Sequence, residues 1–196
     1  MNDAKSKILA AASELFLEGG STALSVRAIS KRAGLSTIGI YSHFNGKQGI
    51  LDELYIEGYE LVSAVMNSGE DVTSPREAIL EAVKGYLHIA DKNEAHYRLI
   101  FGESDPSYAP SPEAIEASQK AFARLIDGVS IVLPANAPFQ EKQKTALEIW
   151  ALVHGFVSLK HHAVANVLEL QDWNELTLQA MATHVDAIIL KNNPTK

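Results

Sequence analysis

The side chains of this chain that could do proton-transfer or metal chemistry are scattered, and those that could hold phosphate or base edges are bunched. Seven histidines invite a metal site. His154, His161 and His162 fall seven and eight residues apart and could share a helical face. The chain has no cysteine, and no carboxylate stands at ligand spacing beside them, so they read as core or interface histidines rather than metal ligands. Residues 48–196 hold no glycine-rich phosphate loop after a strand, no His-Glu-x-x-His and no nucleophile elbow. No catalytic residue, metal or cofactor is therefore expected, and the chain does not read as an enzyme. What remains is a run of hydroxyls, an imidazole and cations between Ser25 and Lys47: Ser25, Arg27, Ser36, Thr37, Tyr41, Ser42, His43 and Lys47. Short polar groups of this kind reach base edges when they sit on an exposed helix, and phosphate oxygens when they sit at helix ends.

Charge points to the same end of the chain. The net charge is −7 over 196 residues, which taken alone argues against a polyanionic partner. Residues 1–50, however, hold six Lys/Arg against three acids, and the remaining 146 hold 11 against 21. A basic module on an acidic body permits phosphate binding at one end only. The absence of cysteine fits a reducing compartment. Lys5 and Lys7 precede only a short apolar stretch broken by Glu14, which is no secretory leader. The most apolar window, Ile149–Leu159, closes with Lys160 and is too short to span a bilayer. A cytoplasmic, membrane-free protein is expected.

The elements that must position these residues all read as helices, about nine of them. Ile8, Leu9, Ala12, Leu15 and Phe16 have helical spacing, ended by Gly19-Gly20. Ser25 caps a short second helix and Ser36 a third that runs to about His43, with Gly34-Leu35 at the corner. Two short helices joined at a glycine corner make a helix-turn-helix. Val26, Ile29, Leu35, Ile40 and Phe44 face inward, and Ser36, Thr37, Gly39, Tyr41, Ser42 and His43 are left to face outward into a major groove. Asn45-Gly46-Lys47-Gln48 has capping-box spacing and opens a long helix to about Ser68. A loop over 69–73 precedes Ser74-Pro75-Arg76-Glu77, a start signal for a helix to about Asp91. Further helices are expected over 94–101, 112–133 and 139–168, with a loop over 102–111. Asp172 and Glu175 start a last helix reaching about Leu190.

The stretch from Ile8 to Lys47, with Ser25-Val26-Arg27-Ala28-Ile29, Ala33-Gly34-Leu35-Ser36 and Ile40-Tyr41-Ser42-His43-Phe44-Asn45-Gly46-Lys47 at its centre, resembles the N-terminal domain of TetR/AcrR-family transcriptional regulators. The resemblance implies a two-fold symmetric, all-α repressor with a helix-turn-helix domain over 1–46 and a ligand-binding and dimerisation domain over 47–196. It implies DNA contacts from Ser25 and Arg27, from Thr37 to His43 including Ile38 and Gly39, and from Lys47. Ile38 and Gly39 depart from the family's common Gly followed by Thr or Ala. Trp150 to Gly155, with His154, resembles a Trp-His-Gly signature of one subgroup.

Two helices of the body read as a homodimer interface. The helix from Phe139 is apolar on more than one face and needs cover on all sides. Ala151, Gly155 and Ser158 form a strip of small residues on it, and the last helix adds Trp173, Leu176, Ala180, His184 and Ile188. Together with their symmetry mates these would make a four-helix bundle; the same residues could instead be monomer core. Tyr86, Tyr97, Phe101, Phe122 and Trp150, with His154 as a polar group, suit a largely apolar small-molecule effector. The expected partners are thus an operator in double-stranded DNA, a small effector and a second copy of the chain. The alternative is a helical interaction protein of the same fold without specific operator binding.

Overall fold

A computed structural model describes residues 3–66, 74–101, 108–167 and 172–192. Among them are nine α-helices and no strand: α1 (Asp3–Gly19), α2 (Val26–Ala33), α3 (Thr37–His43), α4 (Gly46–Val65), α5 (Pro75–Lys92), α6 (Glu94–Phe101), α7 (Pro112–Val129), α8 (Phe139–Lys160) and α9 (Trp173–Asn192). The fold is all-α, as the periodicity predicts. The loop expected over 69–73 lies outside the described residues, as do positions 102–107 of the loop expected over 102–111. None of the described helices is long and apolar enough to cross a membrane.

By its internal packing the chain forms two compact units, residues 1–61 with 92–119 and residues 62–91 with 120–196. In the first, Ile8, Ala12 and Phe16 of α1 pack on Ile29 of α2, Ile40 of α3 and Ile50 of α4, each at most 2 % exposed. Ala95 and Leu99 of α6 complete this core. α4 and α6 run close: a methyl group on Gly58 would stand 2.9 Å from Ile100. Gln48 does not close the capping box expected of it. Its amide donates to the carbonyl of Ala109, 61 residues away. Close by, the Asp52 carboxylate accepts from the Tyr108 hydroxyl and the Ser111 amide, at 2.9 and 3.0 Å. Burial, then the bond to Asp52, pushes the Tyr108 hydroxyl far above the usual phenol range, so it stays a donor.

In the second unit the expected caps form. Ser74 accepts from the Glu77 amide, and Asp172 accepts from those of Asn174 and Glu175. Arg76 grips Asp186 of α9 through two nitrogens, at 2.6 and 3.0 Å. α8 stops at Lys160, eight residues short of the expected end. Nothing local forbids its continuation. Instead Lys160 is held by Asp91 of α5 and Asn174 of α9, and the chain turns into a short 3-10 segment over Ala163–Asn166. α7 likewise closes in a 3-10 turn at Ser130–Val132.

The tie at Asp91 makes stability pH-dependent. Burial pushes this carboxyl up, but the hydrogen bonds from Lys160 and Asn174 and the charges of Lys160 and His161 outweigh it and hold it below its usual range. A lowered folded-state value means the contribution is present above the ordinary carboxylate range and lost as the pH falls through the folded value. Asp91→Asn is therefore expected to lower stability at neutral pH by less than about 1 kcal/mol, the scale of a partly exposed pair. Urea titrations of both proteins at stepped pH should converge in acid; a gap that stays constant with pH would show that the charge of Asp91 plays no part.

Candidate nucleic-acid interface

The helix-turn-helix is built from local chemistry. Ser25 lies in extended backbone and its hydroxyl accepts from the Ala28 amide at 3.1 Å, starting α2. Gly34 ends it in the left-handed region, φ +67°. Its amide donates to Lys31 and that of Leu35 to Ser30, which is a Schellman closure. Ser36 then accepts from the Gly39 amide at 3.1 Å and starts α3. Ile40 turns fully inward, and Val26, Leu35 and Phe44 also pack toward the core. A second left-handed glycine, Gly46 at φ +71°, follows. The Tyr41 ring lies so close over it that a methyl there would stand 3.2 Å away.

With Ile40 inward, the opposite face of α3 is open. Thr37, Ile38, Tyr41 and Ser42 are exposed, with Gly39 and His43 half-buried at its margins. Ser25 and Arg27 are exposed at the start of α2, and Ser36 is exposed at the corner. Lys47 is half-buried, and its ammonium donates to the carbonyl of Ser21 at 3.2 Å. All ten residues expected to meet DNA thus belong to the first unit.

The electrostatics differ from a simple count of charges. The three acids of residues 1–50 are engaged by two of the six cations. Asp3 pairs with Lys7, while Glu14 and Glu18 converge on Arg32 at 3.1 and 2.8 Å. The hydrogen bonds it donates to Glu18 and Glu14 drive the Arg32 guanidinium well above its ordinary range. Arg32 therefore braces α2 against α1 rather than offering charge to phosphate. The other four cations of residues 1–50 are Lys5, Arg27, Lys31 and Lys47. Of these, Lys31 (exposed on α2) and Lys5 (its ammonium 5.5 Å above the centre of the Phe44 ring) were not expected at the site from sequence. Lys31 stood in plain view in a basic last turn. The place of Lys5 depends on α1 packing beside the end of α3.

The aromatic candidates divide between the two units. In the second unit, the Trp150 indole donates to the Tyr86 hydroxyl at 3.3 Å, and its ring centre lies 6.2 Å from Phe122 and 6.3 Å from His154. Burial lowers the pKa of His154, so its imidazole is neutral at pH 7. Tyr97 and Phe101 belong to the first unit, their rings 4.9 Å apart, with Tyr59 against Phe101 at 6.2 Å. Four of the six aromatic and imidazole candidates therefore meet in one cluster. Among the described residues no group of three or more histidines or carboxylates is placed to hold a metal ion.

Residues 8–54 match the family model described as bacterial regulatory proteins, tetR family, and residues 79–182 match the model described as tetracyclin repressor-like, C-terminal domain. The HTH-type transcriptional activator FasR of Mycolicibacterium smegmatis is 30% identical over 133 residues, covering 65% of this chain and 58% of that protein. The HTH-type transcriptional regulator Rv1816 of Mycobacterium tuberculosis is 27% identical over 121 residues, covering 57% and 50%. The chain thus spans little more than half the length of these curated relatives. Among solved structures, a transcriptional regulator from Rhodococcus sp. RHA1 superposes with a TM-score of 0.74 at 20% identity, over 98% of this chain and 99% of that one. The transcriptional regulator FadR from Bacillus subtilis, in complex with stearoyl-CoA, superposes with 0.72 at 15% identity, over 92% and 96%.

Proposed function

The chain belongs to the TetR family of bacterial regulatory proteins, a family of transcriptional regulators rather than enzymes, and on that premise we propose that it is a homodimeric repressor released from a palindromic operator by a small, largely apolar effector. Residues 1–46 are the DNA-binding domain and 47–196 the effector-binding and dimerisation domain, acting in the cytoplasm. The observation that carries the reading is α3: seven residues, capped at Ser36, with Ile40 wholly buried and Thr37, Ile38, Tyr41 and Ser42 presented together on the other side. A helix so held serves as the reading helix of a helix-turn-helix, and two copies would enter successive major grooves ~34 Å apart.

Dimerisation is supported by faces that the monomer leaves bare. On α8, opposite the buried row Ile149, Val153 and Val157, stand Leu147 (53% exposed), Ala151 and Ser158. On α9, Thr183, Ala187 and Leu190 are exposed. Small residues allow helices to approach closely, and a four-helix bundle of α8, α9 and their symmetry mates covers both faces. The effector belongs with Tyr86, Phe122, Trp150 and His154, where one neutral imidazole lies among rings. Tyr97 and Phe101, stacked with Tyr59 in the first unit, are the weaker candidates. The fold neighbour FadR, in complex with stearoyl-CoA, makes long-chain acyl compounds the class to test first. The effector acts only through its different affinity for the operator-bound and released states, transmitted along α4 to Lys47.

The test is a gel-shift series across salt, with an operator selected from random duplex DNA. Tyr41→Ala with Lys47→Ala is expected to weaken binding and to flatten the salt dependence by about one unit of slope for each phosphate no longer neutralised. Wild-type affinity and slope in the double variant would remove these residues from the interface. A folded wild-type protein that enriches no palindrome would favour a helical interaction protein of the same fold.

A further inference from the structure

The open face of α3 carries no Lys, Arg, acidic or amide side chain, and it is rich in hydrocarbon. From Ser36 to Phe44 there is no Arg, Lys, Asn, Gln, Asp or Glu. These are the side chains that read guanine, adenine or cytosine by directed hydrogen bonds. Two of the three small hydroxyls are engaged with the helix's own backbone: Ser36 accepts from the Gly39 amide, and Ser42 donates to the Gly39 carbonyl at 2.9 Å. Ile38 is 79% exposed, the most exposed large hydrophobic residue among the described residues, and Tyr41, one turn on, is 62% exposed. An isoleucine and an aromatic ring adjacent on one exposed face bear no relation to the monomer core, whose α3 contribution is Ile40 on the other side.

Resting on the operator-binding reading above, we infer that Ile38, flanked by Tyr41, is the specificity-determining residue of this reading helix, and that it selects thymine through the 5-methyl group. That methyl is the one hydrocarbon group that base pairs present in the major groove. Burying it against the isoleucine gains hydrophobic free energy that a cytosine in its place does not supply. Gly39 beside Ile38 leaves that shoulder of the helix low, since a methyl placed there would touch only Ser36 and Leu35 of the module itself. The operator half-site should accordingly hold thymine, on either strand, where α3 enters the groove.

The experiment starts from the full chain and a selection on random duplex DNA. In the enriched sequence each thymine of the half-site is replaced in turn by deoxyuridine, which pairs identically and lacks only the methyl. At one thymine, substitution in both half-sites is expected to weaken wild-type binding about tenfold, two methyl groups at roughly three- to fivefold each. The same substitution should leave Ile38→Ala unaffected. Because Ile38 is exposed, Ile38→Ala should unfold at the same denaturant concentration as the wild type, which keeps the comparison clean. An enriched palindrome whose deoxyuridine forms bind normally, or weaken equally with Ile38→Ala, overturns the thymine assignment and leaves operator binding intact. No enriched sequence at all from the folded chain overturns both.

Discussion

An Ala151→Arg variant is expected to sediment as a monomer and to bind its operator about a hundred- to ten-thousandfold more weakly than the parent. Ala151 is exposed midway along α8, one turn beyond Leu147 and two before Ser158, so a longer side chain there displaces none of the buried residues of its own unit. It would meet its own symmetry mate across a two-fold interface, where two like charges would be buried without partners. The monomer fold should survive, because α8 is anchored by Ile149, Val153 and Val157 on its other side, each less than 5 % exposed. The loss at the operator follows from the coupling of half-sites: linking two binding modules raises avidity by roughly 10²–10⁴ over one alone. Sedimentation at micromolar concentration and a gel shift on the same preparation check both parts. A variant that remains dimeric would move the interface away from this face of α8. One that becomes monomeric yet keeps full affinity would show that a single module suffices.

Phe16→Ala should be the most damaging substitution in the first unit, at about 3–5 kcal/mol, the usual cost of emptying a phenylalanine site in a core. The Phe16 ring is 2 % exposed, and the Arg98 guanidinium of α6 lies 5.7 Å from its centre. α1 has to press on α2 and α3 for the reading helix to be held, and Phe16 is its largest buried side chain. Against a typical total stability of about 5–15 kcal/mol, such a loss removes a large share. Urea unfolding should show the midpoint falling with little change in slope, and operator binding should fail at temperatures where the parent still binds. A change below about 1 kcal/mol would mean that the neighbours collapse into the space, and that α1 is not the support of the DNA-binding module.

Several elements were legible because their signals are short-range. Ser25, Ser36, Ser74 and Asp172 each satisfy an amide two or three residues ahead, so a cap can be recognised without knowing the fold. Gly34 closes α2 through bonds that reach back no more than five residues. The inward row of Ile29, Ile40 and Phe44 follows from spacing alone. The end of α8 was not legible. Leu159-Lys160-His161-His162-Ala163 contains no breaker, and the stop comes with a lysine held by Asp91 and Asn174, residues from two other helices. The capping box at Gln48 failed for the same kind of reason, since an acceptor 61 residues away takes its amide.

The sequence by itself determined the class of this protein: an all-α chain with a helix-turn-helix between Ser25 and Phe44, whose caps and corner glycine are written in interactions reaching five residues or fewer and whose buried row is written in the spacing of its apolar residues. The tertiary structure decided which groups of that module remain for DNA and which aromatics meet. Arg32 counts as a cation in composition, yet Glu14 and Glu18 reach it across 18 and 14 residues and make it a brace. Trp150 finds Tyr86 across 64 residues, while Tyr97 and Phe101 belong to the other unit. Such pairings depend on where whole helices come to lie, and that is set by the burial of their apolar faces rather than by the spacing of the residues that meet.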